Sequence, residues 1–355
     1  MQTRNVNVTA GEMVRNGGLQ APPRAIRVAP LLLIAALLLG GCGEQPEVVS
    51  RVDHEGIEMT TLRSPALEGN LLGEAPEKLV AVYLPPGYEE EKERTYPVVY
   101  YLHGFGFGPT KLARVKPHLD TYFEMRPGDA MIVVAVDGNT EPGGSFWRNS
   151  PIIGDWADFA AEEVPEFVED EYRVADTRGA RGLAGFSMGA SAAIHLAVSR
   201  PDHYGAVFAT GPAMPPVEDP RRFMEGIGYP KTASTIAAVA YEAFLTEEGA
   251  LDRSAYEEAA VTDEVMDLLL QRMGPRAIDH MLTSGTAAGR FSAEVYVEYG
   301  TFEGEVIREA ARDVADVLDD HGVEYRLVEF EGGHAMAAGR FAEVLVPYFA
   351  RTLES

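Results

Sequence analysis

The chain has 355 residues, of which 46% are hydrophobic and 24% are charged, and its formal net charge is −25 at pH 7. This length and composition predict a globular protein with one large domain or two smaller ones, and they exclude a disordered chain. The negative charge argues against nucleic acid or an anionic lipid surface as a partner.

The first segment combines arginines, a short apolar run and a cysteine. Arg24 and Arg27 precede an apolar run over residues 31–39, which is too short to span a bilayer and is followed by Gly40-Gly41-Cys42. This ending resembles the lipobox. The resemblance implies that residues 1–41 are a signal peptide and that Cys42 is lipidated, so the protein would be anchored to a membrane and face the periplasm or the cell exterior.

Cys42 is the only cysteine, so no intrachain disulfide can form. Because the chain is acidic, membrane attachment would depend on the lipid alone. The stretch before Arg24 is long for a signal of this kind, and Met13 is an alternative start.

Residues 42–75 mix Gly, Pro, Glu and Ser and predict a tether leading into a first edge strand. A domain over residues 76–355 then begins with strands at 78–84, 97–102 and 131–136. A helix follows at 155–171.

The strand at 97–102 is followed by His103-Gly104-Phe105-Gly106-Phe107-Gly108. A dinucleotide-binding fingerprint would need its third glycine at Pro109, so that function is excluded. The histidine is expected to make structural hydrogen bonds. Five aromatic residues could line an apolar pocket: Phe105, Phe107, Phe146, Trp147 and Phe186.

The pattern Gly185-Phe186-Ser187-Met188-Gly189 has the spacing Gly-x-Ser-x-Gly. A buried strand is predicted before it and a helix after it. In α/β-hydrolases this pattern is a sharp turn from strand to helix that exposes a nucleophilic serine. The sequence therefore predicts that Ser187 is a nucleophile, the alternative being a glycine-rich turn with an incidental serine.

The remainder of the domain alternates strands and helices. Strands are predicted at 206–209, 293–299 and 324–330, with helices at 305–320 and 341–353. The intervening residues 211–291 lack strand signals and predict a mainly helical cap insertion. This order predicts an α/β fold with a mostly parallel central sheet flanked by helices.

A serine nucleophile needs a base, and five histidines follow Ser187. His334 is the predicted base because it follows a core strand in the loop Glu331-Gly332-Gly333-His334. The other four lie within or at the ends of predicted helices or in the cap: His195, His203, His280 and His321.

The acid that orients the base is predicted in the loop after the strand at 293–299. Glu303 lies in that loop, whereas Glu305 more naturally starts the next helix; both stay candidates, with Glu218 and Asp219 as more distant ones. The oxyanion of the reaction intermediate is expected to bind the backbone N–H groups of Met188 and Phe105.

Four segments together resemble the putative-esterase family of α/β-hydrolases, which includes esterase D, enterochelin esterases and mycolyltransferases. They are Tyr101-Leu102-His103-Gly104, Trp147-Arg148-Asn149-Ser150, residues 181–190 around the serine, and Phe330-Glu331-Gly332-Gly333-His334. The resemblance implies Ser187 as nucleophile, Glu303 as acid and His334 as base. It implies neither a metal nor an organic cofactor. The chain departs from many relatives at Ala335-Met336, where they have Asp and then Trp.

These observations predict a serine esterase that cleaves carboxylic esters through an acyl-enzyme. Transfer of the acyl group to a sugar or lipid acceptor is one alternative, and a non-catalytic surface lipoprotein that binds a partner is another. The sequence leaves the ester substrate and the oligomeric state open.

Overall fold

The computed structural model describes residues 45–228, 230–283 and 287–354. The predicted signal peptide and Cys42 lie outside these residues. Within the described ranges, no helix combines the length and the apolarity that crossing a bilayer requires.

A nine-stranded sheet forms the centre of the fold, in the order β1-β2-β3-β5-β4-β8-β9-β10-β11, and β6 and β7 form a small separate hairpin. The strands are β1 (Glu47–His54), β2 (Ile57–Arg63), β3 (Glu77–Tyr83), β4 (Val98–Leu102), β5 (Ile132–Val136), β6 (Asn149–Ser150), β7 (Gly154–Asp155), β8 (Arg181–Phe186), β9 (Ala206–Thr210), β10 (Glu294–Gly300) and β11 (Tyr325–Phe330).

Six neighbouring strands are parallel to one another: β5, β4, β8, β9, β10 and β11. Strands β1, β2 and β3 pair in antiparallel fashion at one edge of the sheet. The central strands are almost continuously apolar because helices cover both of their faces; every residue of β5 and β9 is buried. The predicted fold class and the predicted core strands are confirmed to within one residue at most ends.

Helices flank the sheet, and several are short. They are α1 (Leu112–Met125), α2 (Trp156–Asp158), α3 (Val164–Glu171), α4 (Met188–Ser199), α5 (Pro220–Ile227), α6 (Lys231–Val239), α7 (Arg253–Glu258), α8 (Asp263–Arg272), α9 (Pro275–Thr283), α10 (Glu305–Asp320), α11 (Ala338–Arg340) and α12 (Val346–Thr352). Helices α5 to α9 lie between β9 and β10, in the segment assigned to the cap.

The single helix predicted at 155–171 is interrupted. A π-helical turn at Phe159–Glu163 separates α2 from α3, and a second one at Phe341–Leu345 precedes α12. Each is followed by a proline, Pro165 or Pro347, near the start of the next helix. Proline cannot donate the regular helical hydrogen bond, so the preceding turn widens.

The tether predicted at 42–75 is wrong for most of its described part, because β1, β2 and a short 3₁₀ turn occupy residues 47–67. Strand β2 buries Ile57, Met59 and Leu62 against the core. All eight residues of β1 are exposed, so this strand is held by pairing with β2 and lacks the apolar alternation that reveals a half-buried strand.

Candidate active site

Ser187 lies at a strained turn between β8 and α4. Its φ of 56° and ψ of −115° are unusual for a residue with a side chain. A Cβ added to Gly185 would lie 2.0 Å from the carbonyl oxygen of Gly189, and one added to Gly189 would lie 2.0 Å from that of Leu102. The two glycines therefore allow the backbone approach that turns the serine outward.

The structure brings Ser187, His334 and Glu303 together at the carboxyl edge of the parallel strands. His334 Nε2 is 2.8 Å from Ser187 Oγ, and His334 Nδ1 is 3.1 Å from Glu303 Oε1. The Glu303 side chain is fully buried, whereas 37% of the His334 side chain is exposed. This geometry suits proton transfer from the hydroxyl to an imidazole whose other nitrogen donates to a carboxylate.

The loops that carry His334 and Glu303 are tied to each other. Phe302 N–H donates to the carbonyl of Gly332 at 2.8 Å. The ring of Phe186, next to the serine, packs on the imidazole with 4.8 Å between ring centroids. The imidazole is thus held by the serine turn on one side and by the Glu303 loop on the other.

Gly211, directly after β9, was not predicted as a site residue, yet it lies against this pair. Its φ is +56°, and an added Cβ would lie 2.7 Å from Glu303 Oε1 and 3.1 Å from His334 Nδ1. Sequence reasoning had no signal for it, because a glycine after a strand usually marks only a turn.

We expect Gly211→Ala to lower kcat by roughly 100-fold, because displacement of catalytic groups by about 1 Å has effects of that size. Steady-state kinetics on a p-nitrophenyl ester would measure it, with KM nearly unchanged. Gly322→Ala is the matched control, since Gly322 has a φ of +65° but open space around it. Equal losses in both variants would show that backbone strain alone is responsible.

A second buried carboxylate lies beneath the site. Glu298 on β10 accepts from Thr210 Oγ1 at 3.0 Å and from Arg340 Nη2 at 2.5 Å, and its side chain is fully buried. Burial raises the pKa of Glu298, and the Arg340 charge opposes that rise. Because Arg340 ends α11, shortly after His334, this ion pair fastens the histidine loop to the sheet.

We expect Arg340→Met to lower the free energy of unfolding by about 3–5 kcal/mol, because it leaves a buried carboxylate without its cation. The pKa of Glu298 is already above 4.5 in the fold. The stability that the fold gains from a protonated Glu298 is therefore fully present below that pH. It is lost as the pH rises through the folded-state pKa of Glu298. The variant raises that pKa further, so its deficit should be larger at mildly alkaline pH than at acidic pH.

Urea denaturation at both pH values measures this dependence. Adding Glu298→Leu to Arg340→Met should recover part of the lost stability and remove the difference between the two pH values. A deficit that is the same at both pH values would contradict the assignment.

The alternative acids and the histidines that were not predicted as the base have different surroundings. Glu305 starts α10 and forms ion pairs with Arg308 and Arg312. His321 pairs with Asp279 at 2.8 Å. Elsewhere, Asp219 pairs with Arg222, His203 lies 4.0 Å from Glu162, and His195 lines a separate cavity.

Phe105 and Met188, the predicted oxyanion-binding residues, both border the space in front of Ser187. Met188 is the first residue of α4, where a helix N–H has no acceptor within the helix. The Phe105 loop is anchored by His103, whose Nε2 accepts from Gly138 N–H at 3.0 Å. This matches the structural role predicted for the histidine.

A cavity of about 350 Å³ opens beside Ser187 and His334. Its apolar lining comes from the Phe105 loop, the loop before β6, the cap and α10: Phe105, Phe146, Phe223, Ile227, Val306 and Ile307. The aromatic pocket predicted from sequence is only partly present. Phe107 and Phe186 line a neighbouring cavity, and Trp147 is completely buried.

A family model described as "Putative esterase" matches residues 76–352. Two curated relatives from Mycobacterium tuberculosis, Esterase Rv1288 and Esterase MT1326, are each 28% identical over 144 residues. That alignment covers 38% of this chain but only 29% of each relative.

Solved structures with a similar fold include an S-formylglutathione hydrolase from Agrobacterium tumefaciens, with 16% identity, a TM-score of 0.57 and coverage of 87% of this chain and 100% of that one. A fluorophosphonate-binding serine hydrolase from Staphylococcus aureus has 14% identity, a TM-score of 0.57 and coverage of 84% and 98%. A ferulic acid esterase from Anaeromyces mucronatus has 20% identity, a TM-score of 0.52 and coverage of 88% and 92%. At these identities the likeness establishes the α/β-hydrolase fold.

Proposed function

The chain belongs to the putative-esterase family, and from this premise we propose that it is a carboxylic ester hydrolase that works through Ser187, His334 and Glu303. The observation that carries the proposal is the 2.8 Å contact between His334 Nε2 and Ser187 Oγ. A neutral imidazole at that distance can accept the hydroxyl proton as the oxygen attacks the ester carbonyl.

In the proposed reaction Ser187 Oγ bonds to the carbonyl carbon while its proton moves to His334 Nε2. The backbone N–H groups of Met188 and Phe105 donate to the developing oxyanion. His334 then gives its proton to the departing alcohol, and an acyl-enzyme remains. A water molecule that loses a proton to His334 then attacks the acyl carbonyl, the bond to Ser187 Oγ breaks, and His334 returns the proton to Ser187 Oγ as the acid departs.

Glu303 Oε1 accepts a hydrogen bond from the Nδ1–H group of His334 throughout the reaction. Because the Glu303 side chain is buried, solvent does not compete for this hydrogen bond, which is stronger as a result. The charge of the carboxylate stabilises the imidazolium that forms after each proton transfer to His334. The fixed tautomer leaves Nε2 free to act as the base.

The lining of the cavity beside Ser187 favours a substrate ester with an apolar acyl or alcohol group. Its lining is mostly aromatic and aliphatic, and the size is that of a small-molecule pocket. Lys231 lies at its edge with Nζ 5.2 Å from the Phe105 ring. Hydrolysis and acyl transfer would share the same acyl-enzyme, so product analysis with a sugar or lipid acceptor present separates them.

A fluorophosphonate probe tests the nucleophile directly. We expect labelling of the folded protein at Ser187, located by mass spectrometry of the digested protein, and parallel loss of p-nitrophenyl butyrate hydrolysis. Hydrolysis that survives complete labelling, or a label on another residue, would contradict the proposal. An unlabelled, inactive but folded protein would favour the non-catalytic binding function.

We also propose that the protein is lipid-anchored through Cys42. The support is the sequence alone: the apolar run and Gly40-Gly41-Cys42. Metabolic labelling with a radioactive fatty acid should mark the wild-type protein and not Cys42→Ser. Recovery of the wild-type protein without label would contradict this proposal.

A further inference from the structure

A second cavity, of about 430 Å³, lies between α4 and the carboxyl ends of α6 and α8, with α9 beside them. His195 of α4 and Arg200, which directly follows α4, contribute to its lining. His195 is eight residues beyond Ser187, or about 12 Å along the helix axis. The cavity is therefore separate from the ester-cleaving site.

The described residues that line this cavity include three arginines and two histidines, and none is acidic: Arg148, Arg200, Arg272, His195 and His280. Such a concentration of basic groups is unusual in a chain whose net charge is −25. Whether these groups attract an anion depends on which of the arginines lack an acidic partner.

Two of the arginines already have acidic partners. Arg200 pairs with Asp158 at 2.5 Å and with Glu162 at 2.6 Å. Arg272 makes a two-pronged contact with Glu242, with distances of 2.8 and 2.9 Å. These pairs are structural and shape the walls of the cavity.

Arg148 differs from both. Only 7% of the residue is exposed, and among the described residues its guanidinium has no carboxylate partner and its shielded Nε has no hydrogen-bond acceptor. Burial alone lowers the pKa of Arg148, to about 9. A buried charge without a counter-charge is strongly unfavourable, so the fold is expected to retain one only where a ligand supplies the missing charge.

His195 adds a second unsatisfied group. Its Nδ1 is shielded from solvent and has no hydrogen-bond partner within the described part of the chain. Burial, and then the charge of Arg148, hold the pKa of His195 well below its usual range. The ring is thus neutral at neutral pH and carries one N–H that can donate.

The backbone that presents Arg148 is strained. Phe146 and Trp147, the two preceding residues, have φ values of +51° and +44°. Such conformations are unfavourable for residues that have a side chain. The strained pair places Phe146 at the active-site cavity and Arg148 at the second cavity.

We propose that the second cavity is a binding site for a small molecule bearing an oxyanion, a carboxylate, phosphate or sulfate, which pairs with the Arg148 guanidinium and accepts a hydrogen bond from His195. A planar guanidinium binds all three groups through two parallel hydrogen bonds. The site does not depend on the proposed ester hydrolysis.

Calorimetric titration of the wild-type protein with sodium phosphate, sulfate and acetate, at constant ionic strength balanced with sodium chloride, tests the site. We expect saturable binding of at least one of them. Tighter binding of acetate would assign a carboxylate ligand, and tighter binding of phosphate or sulfate a tetrahedral one. Absence of saturable binding for all three would overturn the proposal.

The variant Arg148→Met should bind the same anion roughly 10- to 100-fold more weakly, the range expected for loss of a charge-assisted hydrogen bond. Arg253→Met, which removes an exposed arginine on α7, is the matched control and should bind as the wild type does. Equal affinity of the wild type and Arg148→Met would overturn the proposal.

Thermal unfolding gives a readout that a purely structural role would not produce. In buffer without the bound anion, Arg148→Met should melt at the same temperature as the wild type or above it, and saturating anion should reverse the order. A lower melting temperature of the variant in every buffer would contradict the proposal. If Arg148→Met does not fold, Arg148→Lys decides: weaker binding supports the site, and unchanged affinity overturns it.

Discussion

Replacing Ser187 with alanine is expected to lower kcat on a p-nitrophenyl ester by about 10⁶-fold, the size of effect seen when a serine hydrolase loses its nucleophile. The reason is the geometry of the base: His334 Nε2 is 2.8 Å from the hydroxyl oxygen, and without that oxygen no acyl-enzyme can form. Ester hydrolysis, measured by steady-state kinetics, and labelling by the fluorophosphonate probe should be lost together.

The same position allows a test of folding that is independent of activity. Because Ser187 has a φ of 56°, Ser187→Gly should raise the free energy of unfolding by about 1 kcal/mol, while Ser187→Ala keeps the backbone strain and should match the wild type. Urea denaturation would measure both. An alanine variant that folds normally and cleaves the ester at the wild-type rate would remove Ser187 from the mechanism.

Replacing Glu303 with glutamine is expected to lower kcat by about 10⁴-fold, because an amide can hold the wrong tautomer of the imidazole and cannot stabilise its charged form. The carboxylate contacts His334 Nδ1 at 3.1 Å from a fully buried position. The substitution preserves volume, so the loss should appear in kcat with little change in secondary structure.

Glu305→Gln is the matched control. Glu305 pairs with Arg308 and Arg312 at the start of α10, and near the surface such pairs contribute little. We expect a change of a few-fold at most, mainly in KM. A larger loss of kcat in Glu305→Gln than in Glu303→Gln would assign the acid to Glu305.

The three proposed catalytic side chains could be predicted because each has a local signal. Ser187 lies in a glycine pattern, and His334 and Glu303 each follow a core strand, where parallel strands present their loops at one edge. The choice between Glu303 and Glu305 stayed open because it depends on where α10 begins, and helix ends are the least predictable boundaries.

The supporting contacts could not be predicted because they join distant positions. Glu298 and Arg340 are 42 residues apart, and neither belongs to a recognisable motif. Gly211 matters only because two other loops converge on it. Strand β1 was missed for a different reason: all of its residues are exposed, so no burial pattern marks it.

The position of β11 has a further consequence. In the part of the chain that the structure describes, β11 is the last strand of the sheet, pairs only with β10 and has no fully buried residue, whereas β8, which precedes Ser187, is central and almost entirely buried. Edge elements with few buried contacts open at lower free energy than the whole domain. On heating, the segment bearing the imidazole should therefore detach before β8 does, and catalysis should fail at a temperature where circular dichroism still reports an intact central sheet.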